Sequence, residues 1–349
     1  MIRIHFFICF IFFFLTFSFA QEQSATPQLG EGITTFLERH GRPSRTYYQD
    51  FLKMNKQKLH GKKELRMGVK YLLPPLHDEK STGREISNDS KSVASTKQKQ
   101  SFRTFREPLF GKELADVKPV GERLKGACFY VVSGHGGPDP GAIGRVGRKK
   151  LHEDEYAYDV ALRLARQLML EGAEVRMIIQ DAKDGIREDP YLKNSKRETC
   201  MGSAIPLNQT ARLQQRCTVI NNLYRKDRQR FSYCRAIFLH VDSRSKGAQT
   251  DVFFYHAPKS VQGERLAGTM KRTFESKYGR HQPSRGFRGT VSERNLYVLL
   301  NATPVALFVE LGNIQNTFDQ RRFVMSSNRE ALARWMKDGF VTDSRRFLK

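Results

Sequence analysis

Apolar positions fall into two patterned regions separated by a polar stretch. In residues 28–76, Ile33, Phe36 and Leu37 share one helical face, and Tyr47, Tyr48, Phe51 and Leu52 mark a second helix ending near Asn55. Leu65 to Leu73 reads as a turn and a short strand, closed by Pro74. Residues 77–117 are rich in Lys, Ser and Gln, with few apolar side chains to bury, and read as a flexible basic linker. From residue 124 the pattern alternates. Strands are expected over 127–133, 175–179, 236–240, 251–255 and 304–310. Helices are expected over 153–170, 210–224 and 329–340; the first buries Ala157, Val160, Ala161, Leu164 and Leu168 and stops at Gly172. Alternating strands and helices predict an α/β domain over 124–343, a twisted sheet flanked by helices. Phe287 to Asn295 reads as an exposed loop, and no internal repeat is visible.

The N-terminus has another character. A basic start is followed by a nearly continuous apolar run, Phe6 to Phe17, and small residues at Ser18 and Ala20. The run is too short for an ordinary membrane-spanning helix, so residues 1–20 are expected to be a cleaved export signal, with an uncleaved anchor as the alternative. Periplasm or extracellular cell wall is the expected location. Beyond it stand four cysteines, Cys128, Cys200, Cys217 and Cys234, for which export permits disulfides in any of three pairings. None has a Cys-x-x-Cys spacing, which speaks against thiolate zinc and redox motifs.

Charge narrows the partners. The 349 residues include 60 Lys+Arg against 36 Asp+Glu, a net +24, which favours an acidic polymer or an anionic membrane face. No zinc finger, RNA-recognition or helix-turn-helix signature accompanies the charge, so no nucleic-acid partner is expected.

Four residues carry the candidate chemistry. His135 follows an apolar strand in a glycine-rich loop, Gly134-His-Gly-Gly-Pro-Asp-Pro-Gly-Ala142. Glu153 opens a helix, while His240 and Glu310 each end an apolar run. Each alone has an ordinary reading: a hydrogen-bonded His, a carboxylate favoured at a helix N-terminus, a buried acid needing a partner. His135, His240 and Glu310 fall at the carboxyl ends of strands, where open α/β sheets bind ligands, and Glu153 can point into the same crevice from the start of its helix. Two His and a Glu suit a catalytic zinc with an open position, and a further Glu suits a general base. Glu155 is the reserve candidate for the carboxylate ligand.

These motifs resemble the amidase-3 family of zinc-dependent N-acetylmuramoyl-L-alanine amidases. Gly134 to Ala142 matches every fixed position of the family's Gly-His-Gly-Gly-x-Asp-Pro-Gly-Ala, and Glu153 followed by Ala161-Leu-Arg-Leu-Ala165 matches its helix. Leu213, Arg216 and Asn221, then His240-Val-Asp242, then Val309-Glu-Leu-Gly312 with Asn316, follow in order. The resemblance implies zinc ligands His135, Glu153 and His240 with Glu310 as catalytic carboxylate. It also implies cleavage of the amide between N-acetylmuramic acid and L-alanine of peptidoglycan, with an activator protein as an open partner. Three features depart from the family: Val132-Ser133 replaces an Asp-Pro, the Thr-Arg after the second strand is missing at Ile179-Gln180, and residues 182–206 form an altered loop. Residues 28–76 resemble a LysM module, a small βααβ glycan-binding domain, through Gly30-Glu-Gly-Ile33, Phe36, Gly41, Asn55, Leu65, Gly68 and Pro74. An inactive wall-binding protein and a zinc peptidase acting on another wall bond are the rival functions.

Overall fold

The computed structural model describes residues 23–27, 32–42, 44–60, 65–66, 68–76, 104–242, 249–282 and 284–348. The export signal and most of the linker lie outside these residues. The chain divides into two compact units, Met1–Val93 and Ala94–Lys349.

In the first unit, β1 (Ser24–Ala25) pairs antiparallel with β2 (Tyr71–Leu72), with α1 (Ile33–Arg39), α2 (Ser44–Met54) and the short α3 (Lys56–Leu59) between them. Ile33, Phe36, Leu37, Tyr47, Phe51 and Tyr71 form its core. Asn55 shows why an amide stands at the end of α2. Its side-chain nitrogen donates to the Leu72 carbonyl (2.9 Å) and its oxygen accepts from the Leu72 N–H (2.8 Å), tying helix to strand.

The second unit begins earlier than the sequence pattern indicates. Residues 104–117, expected as linker, contain β3 (Phe105–Arg106), β4 (Asp116–Val117) and a short 3-10 turn. Phe110 and Val117 are buried in the main core, so this stretch belongs to the domain.

The main sheet joins β5 (Ala127–Ser133), β8 (Glu174–Met177), β12 (Tyr233–Asp242), β13 (Phe253–His256), β14 (Val291–Glu293) and β15 (Val305–Asn313) in the order β14-β13-β15-β12-β5-β8. β8, β5, β12 and β15 are parallel, and β13 runs antiparallel to β15. The central strands are continuous apolar runs because both faces are covered. Phe129 and Val131, Ile237 and Leu239, and Leu307 and Val309 pack with α4 (Glu153–Leu170), α6 (Val261–His281) and α9 (Ser326–Ser344). The alternate positions Tyr130, Phe238, Ala306 and Phe308 pack with α5 (Gln209–Asp227) and α7 (Tyr297–Asn301). A hairpin of β6 (Ile143–Val146) and β7 (Lys149–His152) leads into α4, while β10 (Thr199–Cys200) and β11 (Ser203–Ala204), inside the stretch expected as an altered loop, join β9 (Ile179–Gln180) in a small sheet.

One expectation is corrected. Residues 287–295 are not simply exposed: Phe287 stacks on Tyr278 with ring centres 5.0 Å apart, and β14 pairs with β13. The four described cysteines are buried free thiols, with Cys128 and Cys234 opposite one another on β5 and β12.

α4 and α9 are locked by a buried ion cluster. Asp159 accepts from Arg163 Nε (2.8 Å) and Arg329 Nε (2.6 Å), and both Asp159 and Arg329 are fully buried. Arg329 also donates to the carbonyls of Phe323, Arg187 and Asp189. Removing one partner strands the other charges in the core. Arg329→Ala should therefore lower unfolding free energy by about 3–5 kcal/mol in urea titration. Lys271→Ala, which breaks an exposed helical pair with Glu275, should change it by less than about 1 kcal/mol.

Candidate active site

Backbone geometry brings the loop after β5 to the end of β12. His135 adopts a left-handed conformation, φ 59°, and its carbonyl accepts from the Arg216 guanidinium on α5. Gly134 permits the approach: a Cβ there would lie 2.3–2.6 Å from three atoms of the His240 ring. Gly141, at φ 66°, leaves room for Glu153 Oε2 and the His135 ring, which a Cβ would meet at 2.7 and 2.8 Å. Gly134 and Gly141 are thus required by the side chains they admit.

Three side chains converge on one point. Glu153 Oε1 lies 3.2 Å from His135 Nε2 and 3.0 Å from His240 Nδ1. The Val241 N–H donates to Oε1 (2.9 Å) and the Ala142 N–H to Oε2 (2.8 Å), fixing the carboxylate from both sides. The His240 ring stacks on Phe308, centroids 4.4 Å apart. His135 Nδ1 contacts Asp139 Oδ2 (2.9 Å), which also receives Arg212 Nη2 (2.6 Å), so Nε2 is the nitrogen left facing Glu153.

Glu310 joins this group through strand register. It is the direct partner of His240 across β12 and β15, it is buried, and it alternates with Phe308 and Ala306 onto the same sheet face as His240. Glu155, the reserve ligand, points elsewhere: it pairs with Arg187 Nη1 (2.7 Å) and accepts from the Ser195 N–H. Asn221 ties α5 to the segment entering β15, donating to the Asn301 carbonyl and accepting from the Thr303 N–H. Sequence reading did not single out Asp139 or Arg212; Asp139 lay in a matched motif, but Arg212 is 73 residues away on α5 and only the fold pairs them.

The donor set fits a divalent cation. The ligand atoms of His135, Glu153 and His240 all lie within 4.8 Å of one another. Their closest separations, 3.0–3.2 Å, approach the ~3.3 Å edge of a tetrahedron with ~2.0 Å metal–ligand bonds. A second acidic group, Asp154, Glu155 and Glu198, lies beside α4's start, and burial pushes Asp154 up to about 8, assisted by its acidic neighbours.

The same contacts set the protonation of the metal-free site. Burial opposes a charged His135, but Asp139 and Glu153 outweigh it and raise its pKa to about 10. Burial likewise works against the Glu153 carboxylate, yet both imidazoles hold its pKa far below the usual range; for His240 burial prevails and lowers the pKa. The His135 proton stabilises the metal-free fold fully below about pH 6.5, and that contribution is lost as pH rises toward about 10. A metal requires neutral imidazole. Binding at pH 7 should therefore release about one proton, read by calorimetry in buffers of different ionisation enthalpy; zero release would mean His135 is already neutral.

The pattern of the N-acetylmuramoyl-L-alanine amidase family Amidase_3 matches residues 130–341, more than half the chain. The chain belongs to this family. Similar solved structures include Cwp6 from Clostridium difficile, with 18% identity and TM-score 0.46 over 65% of this chain and 30% of that one. The present chain thus spans about a third of Cwp6. The amidase AmiC2 of Nostoc punctiforme shares 17% identity over 65% of this chain and 98% of its own, TM-score 0.41. The catalytic domain of CwlV, an amidase from Bacillus (Paenibacillus) polymyxa var. colistinus, shares 21% over 64% and 99%, TM-score 0.44. No curated protein matches the chain.

Proposed function

We propose that this chain is an exported, zinc-dependent N-acetylmuramoyl-L-alanine amidase that cleaves the bond between N-acetylmuramic acid and L-alanine of the stem peptide. The observation that carries the reading is the convergence of His135, Glu153 and His240 beside the buried carboxylate of Glu310. Two imidazoles and one carboxylate are a donor set for zinc with an open position. Zinc held there would supply Lewis acidity, polarising the amide carbonyl and acidifying water.

The chain's own groups do the rest. Asp139, braced by Arg212, orients His135, and Phe308 sets the plane of His240. Glu310, adjacent to His240, accepts the proton of the attacking water and delivers it to the departing L-alanine nitrogen. The first unit, a small two-stranded sheet with helices between, serves as a LysM-like module that holds glycan strands and raises the hydrolase's local concentration. The net charge of +24 favours the acidic wall or an anionic membrane face.

Mass spectrometry of digested sacculi tests the reaction. Free muramoyl glycan with intact stem peptide supports the amidase; cleaved peptide bonds make it a peptidase, and absence of product with retained attachment makes it a binder. Glu310→Gln should keep zinc and fold but lose roughly 10²–10⁴-fold in turnover, whereas His240→Ala should lose zinc; zinc loss in the Glu310 variant would make that residue a ligand. Deleting residues 21–93 should preserve hydrolysis of soluble muropeptides and weaken attachment to sacculi at high salt, where general charge attraction is screened. Equal attachment of the truncated and full chains would remove the glycan-binding role of the first unit.

A further inference from the structure

A cavity of about 240 Å³ opens among α6, α9, the short helix α8 (Arg321–Val324) and the turn after β15. Three arginines, Arg285, Arg321 and Arg322, and three aromatic rings, Tyr278, Phe318 and Trp335, line it, and none of its lining residues is acidic. None of these residues belongs to the candidate active site.

The three guanidiniums differ in what they already hold. Arg322 is committed: its Nε donates to the Tyr278 hydroxyl (3.0 Å), Nη1 to the Thr250 carbonyl and Asp319 (2.8 Å each), and Nη2 to Asp251. Arg285 is half committed. Nη2 pairs with Asp251, and the guanidinium is sandwiched between Tyr278 and Phe318, 4.7 and 4.9 Å from their ring centres. Its Nε and Nη1 are buried without a hydrogen-bond acceptor among the described residues. Arg321 is exposed, lies 5.4 Å from the Phe318 ring centre, and pairs with no carboxylate among the described residues.

The charge balance selects a ligand. Three guanidiniums face two carboxylates, Asp251 and Asp319, which leaves one positive charge uncompensated. A carboxylate supplies one negative charge and two acceptors for the planar N–H edges of arginine. Buried donors without an acceptor are costly and call for one. The volume is below the ~300–1,000 Å³ of pockets that enclose a drug-sized ligand, so the cavity fits the end of a molecule. Trp335, Phe318 and Leu332 offer an apolar wall for a short alkyl side chain.

We infer that this cavity binds the free carboxyl-terminal residue of a peptide, between Arg285 and Arg321. The proposed amidase reading supplies one source, the stem peptide, and only that naming rests on it.

Trp335 is the only tryptophan of the chain, so its fluorescence reports on the cavity directly. The metal-free full chain is titrated with N-acetyl-Ala-Ala, with its carboxyl-terminal amide, and with inorganic phosphate. A saturable change is expected for the free acid, with the amide and phosphate at least about tenfold weaker. Arg321→Ala should weaken the free acid at least about tenfold with an unchanged circular dichroism spectrum, and Arg321→Lys should recover part of the loss. Equal binding of acid and amide, tighter binding of phosphate, or full affinity in the folded Arg321→Ala variant would overturn the assignment. Hydrolysis is not read in this titration, so its failure and that of the amidase reading are distinct.

Discussion

Everything at the candidate active site turns on where Glu153 Oε1 sits. One carboxylate oxygen meets two imidazole nitrogens and a backbone N–H, while its partner oxygen takes a second N–H. A buried carboxylate so restrained cannot relax, and the surrounding backbone has to fit it. Gly134 and Gly141 are the visible consequence, since a Cβ at either would enter the space of a ring or of the carboxylate. The left-handed turn at His135, held by Arg216, is another.

The sheet makes such an arrangement affordable. Parallel β5, β12 and β15 place three chain segments far apart in sequence at one edge, and burial of both sheet faces keeps their register from slipping. α4 begins on one face of the sheet, and the β6–β7 hairpin delivers its first residue to the strand ends. The Asp159 cluster then fixes α4 against α9, so the helix that carries Glu153 is held far along its length as well as at its start.

Much of this was legible in the sequence. His240 and Glu310 each close an apolar run, and parallel neighbours in register put such residues side by side. Glu153 was legible as the first residue of a patterned helix. The Asp139–Arg212 brace was not, because a charged residue on an exposed-looking helix gives no local sign of a partner 73 positions earlier. α6 is also faint in the sequence. Leu266, Met270, Phe274 and Tyr278 recur at helical spacing, but Gly263, Gly268 and Gly279 dilute the helix signal that packing against β13 and α9 overrides. The boundary at residue 117 failed for a related reason: Phe110 and Val117 are isolated apolar residues in a polar stretch, and only the core shows that they are buried. The aromatic and arginine cavity draws on residues from 278 to 335 and has no sequence pattern at all.

The most direct test of the central claim is a crystal structure of the zinc-soaked protein with anomalous data collected on both sides of the zinc absorption edge. The account predicts one zinc peak, bonded at about 2.0–2.1 Å to His135 Nε2, a Glu153 oxygen and His240 Nδ1, with Glu310 unbonded beside it. A zinc peak held instead by Asp154, Glu155 and Glu198, or one bonded to Glu310, would contradict it.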